Sequence, residues 1–447
     1  MKEINFTHGN ITGKMIQFAW PMIAGNFLQQ LYNVADTVIV GKFLGPNALA
    51  AVGSAYTLMT FITSVLLGLS LGSGAVFSMR FGEQNWTNLK NDVAAAFILI
   101  ATITVIMNIA AFAAIELIMT LMMVPGEVRP LMHDYLSGVF WGIGAVFIYN
   151  FVASLLRAVG DSLSPLVFLG VAAAVNIILD LWFVIGMERG VQGAAYATVI
   201  AQWLAAVGIA LFSFWRKPEL RIKISEIHFK ISAIKDIFAE SGLTCMQQSV
   251  MNFGILMVQG LVNSFGATVM AAFAVAVKIE SFAYMPLQDM GNAFATFAAQ
   301  NYGAGKWERI RNGISSATRL MLFFSLPVAI AVVFFAEELL LIFIRPEEKK
   351  ILAAGVEYLR IVGPFLALIG GLFLLYGLFR AVNRPGVSLV LTVVSLGTRV
   401  LLAYILSSFD SIGVHGIWWA VPIGWLLADV SGIALWRRVC RNRTGII

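Results

Sequence analysis

The sequence has few charged side chains for its length. Only 12% of its 447 residues are Asp, Glu, Lys or Arg, whereas a soluble globular protein has about 25%. In their place it carries 59% apolar residues, and runs of roughly 20 of them recur along the chain, each long enough to cross about 30 Å of hydrocarbon. These runs are too long for the strands of a barrel, so we predict an all-α polytopic membrane protein.

Cysteine and histidine are also scarce. The two cysteines, Cys245 and Cys440, cannot form a disulfide framework, and the four histidines are scattered toward loops or span ends. The sequence contains no HExxH motif, no phosphate-binding loop and no Ser/His/Asp arrangement. We therefore expect neither an enzyme nor a metal centre, and no nucleic-acid partner. The first dozen residues are polar, so we also expect no cleaved signal peptide.

The apolar runs predict twelve membrane-spanning helices. We place them at about 14–41, 48–79, 92–121, 131–156, 163–186, 191–215, 234–264, 268–299, 313–342, 353–380, 386–408 and 413–438. An even number puts both termini on one side, and the loops of that side carry twenty Lys and Arg residues against six on the other. The positive-inside rule then predicts a multi-pass protein of the inner (plasma) membrane with both termini in the cytoplasm.

The two halves of the sequence match when one is shifted along the other. A shift of 221 places GPNALAAV at 45–52 over GATVMAAF at 266–273, and a shift of 223 places GVQGAAYA at 190–197 over GVHGIWWA at 413–420. Six spans is an even number, so the halves form a parallel repeat of the kind found in two-lobed transporters. A duplicated scaffold without transport is the alternative. The predicted parts are an N-terminal lobe at 1–215, a cytoplasmic linker at 216–236 and a C-terminal lobe at 237–447.

Two carboxylates lie inside predicted spans of the N-terminal lobe, and no basic residue of those spans can neutralise them. Asp36 lies near the outer end of the first helix and Asp180 near the outer end of the fifth, at the same predicted depth. Asn176 precedes Asp180 by one turn, and Tyr135 and Thr198 fall at that level of the fourth and sixth helices. Such a layer suits a proton or Na⁺, because nearby carboxylates titrate as a unit and a charge there costs at least about 2.5 kcal/mol. The alternatives are structural: a hydrogen-bonded acid, an interfacial tyrosine and a threonine bonded to its own helix.

The C-terminal lobe has charges of both signs inside its predicted spans. They are Lys278, Glu280, Asp289, Arg360, Arg399 and Asp429. Balanced internal pairs are the simpler interpretation, since an isolated charge in lipid is costly. The alternative is a polar site for an anionic or zwitterionic substrate, made of Lys278, Glu280, Arg399 and Asp429.

Several motifs resemble those of the multidrug and toxic compound extrusion (MATE) family. They are WP at 20–21, QQLYNVADTVIVGKFLG at 29–45, GPNALAAVG at 45–53 and QNYGAGK at 300–306, set in a duplicated twelve-span plan. Each motif is moderately specific alone, and the resemblance covers essentially the whole chain. It implies a V-shaped fold of two six-helix bundles. It also implies a cation-coupled antiporter that exports mostly cationic amphipathic compounds and uses no cofactor beyond its coupling ion.

The resemblance to the prokaryotic DinF-like branch of that family implies roles for the N-terminal layer. Asp36 and Asp180 would be the coupling acids, and Asn176, Tyr135 and Thr198 their network.

Pro21 matches a proline at which the first helix of this branch is thought to bend. Proline removes a helix hydrogen bond, so a hinge is expected, with a fixed kink as the alternative. The NorM-like branch carries a glutamate in the seventh helix, and that position falls near Met251 here. We therefore expect coupling to depend on the N-terminal lobe, with H⁺ favoured over Na⁺.

These features together predict a monomer in the lipid bilayer that exports small organic cations and amphipathic drugs by alternating access, driven by H⁺. Na⁺ coupling is one alternative. A lipid-linked oligosaccharide flippase of the same superfamily plan is another. It would need a cavity rich in Lys and Arg, for which only Lys278, Arg360 and Arg399 are candidates. A membrane scaffold or sensor would not need titratable acids at one depth.

Overall fold

The computed structural model describes residues 4–222 and 231–444, which form helices and no β-strand. The helices are α1 (Ile11–Leu44), α2 (Pro46–Gly82), α3 (Trp86–Ala113), α4 (Ile115–Leu121), α5 (Arg129–Val139), α6 (Ile143–Ala158), α7 (Leu163–Asp180), α8 (Gly190–Arg216), α9 (Ile231–Asn263), α10 (Ala267–Gly303), α11 (Trp307–Phe334), α12 (Ala336–Leu341), α13 (Lys349–Val362), α14 (Leu366–Ala381), α15 (Pro385–Ser407) and α16 (Val414–Thr444). A π-helical turn, Leu181–Gly186, extends α7.

Ten helical segments of the described chain are long and apolar enough to cross a membrane. Two of them join a pair of helices, α5 with α6 and α13 with α14. The other two predicted spans correspond to α1 and α9, which have 34 and 33 residues but carry polar side chains along much of their length. The prediction of an all-α polytopic membrane protein is confirmed. The side on which the termini lie stays a prediction.

The internal repeat is visible in the local structure where two helices meet. Gly45 follows α1 with φ 85°, and Gly266 follows α9 with φ 93°. Only glycine adopts this backbone region without strain. The helices that begin next, α2 and α10, are both 37 residues long. Each half therefore makes its first helical hairpin with the same glycine turn.

Two spans break at matching points of the repeat. The 3₁₀ turns Phe140–Gly142 and Gly363–Phe365 begin 223 residues apart. The second turn contains Pro364, which lacks an amide hydrogen and so interrupts the helix. In the first turn, the carbonyl of Phe140 accepts a hydrogen bond of 2.7 Å from the Asn108 side chain. The break is thus a feature of both halves, made with different residues.

The helices group into two compact units. Unit 1 contains Met1–Asn5 and Trp20–Cys245, and unit 2 contains Phe6–Ala19 and Met246–Ile447. This grouping differs from the predicted boundaries at the start of α1 and in the first half of α9. Residues 223–230 of the predicted linker lie outside the described residues.

Side-chain contacts explain both differences. Phe6 is fully buried in unit 2, with ring centroids 5.2 Å from Phe18 and 5.7 Å from Phe297. Its backbone N–H donates to Gln300 at 3.0 Å and its carbonyl accepts from Arg309 at 2.8 Å. A buried aromatic ring with satisfied backbone groups anchors this segment to unit 2.

The first half of α9 packs against α2 in unit 1. The hydroxyls of Ser73 and Ser241 lie 2.8 Å apart. A Cβ atom at Gly68 would lie only 2.6 Å from the Cα of Cys245. Small residues let two helix backbones approach this closely in a membrane, which makes the contact specific to this part of α9.

Candidate functional site

Asp36 and Asp180 lie together in unit 1. Asp180 is the last residue of α7 and is fully buried, whereas Asp36 on α1 is half-buried. The two carboxylates are close enough to interact electrostatically. One oxygen of Asp36 and both oxygens of Asp180 are buried without a hydrogen-bond partner among the described residues. Buried polar atoms are normally paired, so bare oxygens indicate a site that receives a positive ligand.

Three polar side chains lie around the two carboxylates: the phenol of Tyr135, the amide of Asn176 and the hydroxyl of Thr198. The Thr198 hydroxyl donates to the carbonyl of Ala194 at 3.0 Å. It lies 3.5 Å from Nδ2 of Asn176, and the Tyr135 side chain interacts with Thr198 and with both carboxylates. The structure thus brings all five residues of the predicted N-terminal layer into one buried cluster.

Local helix geometry explains how α7 contributes two of these residues. Asn176 and Asp180 are four residues apart and share a helix face, and both are at least 98% buried. The π-helical turn begins immediately after Asp180. Such turns widen a helix locally and occur frequently at functional sites.

Tyr32 also belongs to this cluster, although the sequence analysis did not single it out. It lies one turn before Asp36 on α1, and it interacts electrostatically with Asp36 and with Tyr135. Its side chain is hydrogen-bonded to Gln29. The four-residue spacing within QQLYNVAD was the available signal, because residues four apart on a helix are neighbours.

The cluster is rich in hydrogen-bond acceptors and contains no Lys, Arg or His side chain. Its unpartnered buried atoms are oxygens of Asp36, Asp180 and Asn176. An ionised carboxylate in such surroundings is costly unless a cation accompanies it. The described residues contain no group of three or more His, Cys, Asp or Glu side chains that could hold a metal ion. The arrangement is therefore suited to a proton or a monovalent cation.

Pro21 is buried near the start of the unit 1 part of α1, one residue after the chain leaves unit 2. The helix continues through it from Ile11 to Leu44. A proline at this position leaves the carbonyl four residues earlier without its helix partner. The proposed hinge stays a prediction.

The four residues of the predicted C-terminal polar site lie at three different places in unit 2. Glu280 accepts a 2.5 Å hydrogen bond from the Tyr358 hydroxyl and interacts electrostatically with Arg399. Lys278 is exposed, with its ammonium 5.6 Å from the ring centroid of Phe343. Asp429 lies elsewhere and interacts with Tyr376. Of the four residues in the predicted C-terminal polar site, only Glu280 and Arg399 come together.

Tyr358 and Arg399 occupy the repeat counterparts of two residues in the unit 1 cluster, and Glu280 interacts with both. With the shift of 223, Tyr135 corresponds to Tyr358 and Asn176 corresponds to Arg399. Both matches are readable in the sequence, but they were not among its predictions. The same level of the fold therefore holds unneutralised acids in unit 1 and an acid with a guanidinium nearby in unit 2.

A sequence model of the MatE family matches residues 21–182 and 244–405. The two matches begin 223 residues apart, as the internal repeat does, and together they cover most of the chain. The chain belongs to the MatE family. This membership confirms the resemblance, and it makes the MatE chain a membrane transporter and not an enzyme.

Known relatives of this MatE chain match it over nearly its whole length. "Probable multidrug resistance protein YpnP" of Bacillus subtilis (strain 168) is 28% identical, over 98% of this chain and 97% of that protein. "DNA damage-inducible protein F" of Escherichia coli (strain K12) is 24% identical, over 95% and 92%. A solved structure described as the outward-facing conformation of a multidrug resistance MATE family transporter of the MOP superfamily has a TM-score of 0.92 at 25% identity, over 98% of both chains.

Proposed function

We propose that this MatE chain exports organic cations and amphipathic drugs from the cell in exchange for H⁺. The observation that carries the proposal is the unit 1 cluster, in which the buried Asp180 and the half-buried Asp36 have bare carboxylate oxygens and no basic neighbour. The class of substrate is supported by relatives with names such as "Probable multidrug resistance protein YpnP". Small organic molecules would thus be its partners, and it would work as a monomer in the bilayer of the plasma membrane.

In this proposal the proton binds to the carboxylate pair. Asp36 is half-buried and would receive the proton, while the fully buried Asp180 interacts with it and Tyr135 and Thr198 hold the surrounding hydroxyls in place. Protonation removes a negative charge from the cluster and so weakens its attraction for a cationic drug. Proton and drug must disfavour each other's binding by the same factor, because coupling free energy is reciprocal.

Na⁺ is a second candidate for the coupling ion. The buried bare oxygens of Asp36, Asp180 and Asn176 would suit a small cation with oxygen ligands. A proton needs only one of these oxygens, and the missing glutamate at Met251 removes the acid that the NorM-like branch carries. These two points support H⁺. With both termini in the cytoplasm, as the distribution of Lys and Arg favours, the proton would enter from outside.

The test is ethidium efflux from cells that express the wild type, Asp36→Asn or Asp410→Asn at equal levels. Asp410 is an exposed carboxylate of unit 2, so Asp410→Asn controls for the loss of one negative charge. We expect efflux by the wild type and the control that a protonophore abolishes, and no efflux by Asp36→Asn. Replacing external Na⁺ with choline should leave wild-type efflux unchanged.

Other outcomes would contradict separate parts of the proposal. Efflux by Asp36→Asn at the wild-type rate would show that the coupling group lies elsewhere. Efflux that survives the protonophore and stops in choline would replace H⁺ with Na⁺. A correctly folded wild type that exports no compound from a broad cationic panel would exclude drug export and favour a lipid-linked substrate.

A further inference from the structure

Asp429 is a buried carboxylate of unit 2 that lies away from Glu280 and Arg399. Asp429 is in the middle of α16 and is 8% exposed. Its oxygen Oδ1 is buried and has no hydrogen-bond partner in the described part of the chain. Residue 206, the repeat counterpart of Asp429 in unit 1, is an alanine. Nothing in the drug-export proposal uses Asp429.

Side chains with hydroxyl groups accompany Asp429. The Tyr376 side chain interacts electrostatically with Asp429 and also interacts with Thr392. The Thr392 hydroxyl donates to the carbonyl of Ser388 at 3.0 Å, so its one hydrogen is already used. No described group is hydrogen-bonded to the buried Oδ1 of Asp429. A neutral carboxylic acid is less costly to bury in these surroundings than a carboxylate.

The charged side chains on the helices around Asp429 interact with other residues, are exposed or lie farther along α16. On α15, Arg399 interacts with Glu280 and Tyr358. On α14, Arg380 is hydrogen-bonded to Asn292. On α13, Glu357 pairs with His415 of α16, and Arg360 is exposed. On α16 itself, Arg437 and Arg438 lie about two turns farther along the helix. Among the described residues, none of these cations pairs with Asp429.

The carboxylate lies close against the backbone of α14. A Cβ atom at Gly371 would lie 3.1 Å from Oδ2 of Asp429, tighter than an ordinary van der Waals contact, and glycine has no such atom. On α15, the hydroxyls of Ser388 and Thr392 donate to backbone carbonyls, those of Tyr376 and Ser388. The contacts of Asp429 in the described chain thus leave its buried Oδ1 available to a proton.

We propose that Asp429 is a second proton-binding site, which takes up and releases a proton in unit 2. A neutral acid kept only for structure would have both oxygens hydrogen-bonded, whereas Oδ1 of Asp429 is bare. An ionisable residue inside a membrane helix is also a functional site by default, because its insertion is costly. The composition repeats that of unit 1: a carboxylate, a phenol and a threonine hydroxyl from different helices. This site does not depend on drug export, and its test needs no drug.

The test counts protons bound by the purified protein in detergent. A pH-indicator dye reports uptake when the medium is shifted from about pH 9 to about pH 5.5, a range in which ordinary exposed carboxylates stay ionised. We expect Asp429→Asn to take up about one proton fewer than the wild type, because asparagine cannot titrate. The control Asp410→Asn should match the wild type. Equal uptake by Asp429→Asn and the wild type would overturn the proposal, since Asp429 would then keep one protonation state throughout.

A second variant separates titration from misfolding. Tyr376→Phe keeps the acid and removes only the neighbouring hydroxyl, so we expect the same number of protons as in the wild type with an altered midpoint. An infrared difference spectrum over the same pH shift should show a protonated-carboxyl band that Tyr376→Phe retains and Asp429→Asn lacks. If that band is identical in Asp429→Asn and the wild type, the proton is bound elsewhere. Asp36→Asn can be measured in the same way, and any lower proton uptake by that variant concerns unit 1. The uptake missing in Asp36→Asn and in Asp429→Asn should then add in the double variant, because the two sites lie in different units.

Discussion

The two units hold different chemistry at the same point of one repeated plan. In unit 1, Tyr135 and Asn176 accompany two carboxylates with bare oxygens. In unit 2, the matching positions are Tyr358 and Arg399, and the guanidinium acts on a single acid. One amide-to-guanidinium difference thus separates a cluster with no positive side chain from one that contains a guanidinium. After duplication, two bundles can keep one fold and still differ in function, because function depends on the site and not on the fold.

The largest expected effect comes from removing the internal cation of unit 2. Arg399→Asn gives unit 2 the amide that unit 1 has, and it leaves Glu280 buried without a positive neighbour. We expect a loss of about 3 kcal/mol, the lower end for a broken buried pair, because Arg399 acts on Glu280 through its charge and Tyr358 makes the direct hydrogen bond. Thermal unfolding in detergent would measure it.

The double variant Glu280→Gln with Arg399→Asn is the matched control. It removes both charges, so it should recover most of the stability lost by Arg399→Asn. If the double variant is as unstable as the single one, Arg399 acts through packing and the contrast between the units is not electrostatic.

The next effect concerns transport. Asp180→Asn should lower H⁺-driven ethidium efflux about tenfold or more, equivalent to about 1.4 kcal/mol, because it removes half of the unneutralised pair. Glu280→Gln removes an acid that already has a cation beside it, and it should keep most of the wild-type efflux. The initial rates of efflux at equal expression give the comparison. The reverse order of the two variants would place coupling in unit 2.

The smallest effect compares the two tyrosines of the repeat. Tyr358 donates to a carboxylate, and hydrogen bonds to charged groups contribute about 1.5–3 kcal/mol. Tyr135 interacts with the neutral hydroxyl of Thr198, and a hydrogen bond between neutral groups contributes about 0.5–1.5 kcal/mol. Tyr358→Phe should therefore destabilise the protein more than Tyr135→Phe, as measured by chemical denaturation. Equal losses would mean that Glu280 is neutral in the folded protein.

Some features were predictable because they follow from position along a helix. The common depth of Asp36 and Asp180 came from counting residues to the predicted span ends. A fixed rise of about 1.5 Å per residue makes that count a distance along the membrane normal. The repeat places Gly45 over Gly266 in the sequence, and the structure shows that both have a positive φ, which favours glycine.

Other features depend on how helices rotate and pack, and the sequence analysis missed them. Lys278 and Glu280 are two residues apart, yet one is exposed and the other buried against Tyr358, because residues two apart on a helix face different directions. Asp429 was grouped with Arg399 by depth, but it faces Gly371 and Tyr376. The start of α1 joins unit 2 through Phe6, a contact between residues about 290 positions apart.

The sequence by itself determined that this protein is helical, spans a membrane and is built from a duplicated half. Those properties follow from composition, from the length of apolar runs and from local backbone preferences, which are all short-range in the chain. Only the tertiary structure decided which acids are left bare, which one has a guanidinium beside it and where the chain passes from one unit to the other. These outcomes depend on the rotation of each helix against its neighbours, and side chains distant in sequence set that rotation by packing together.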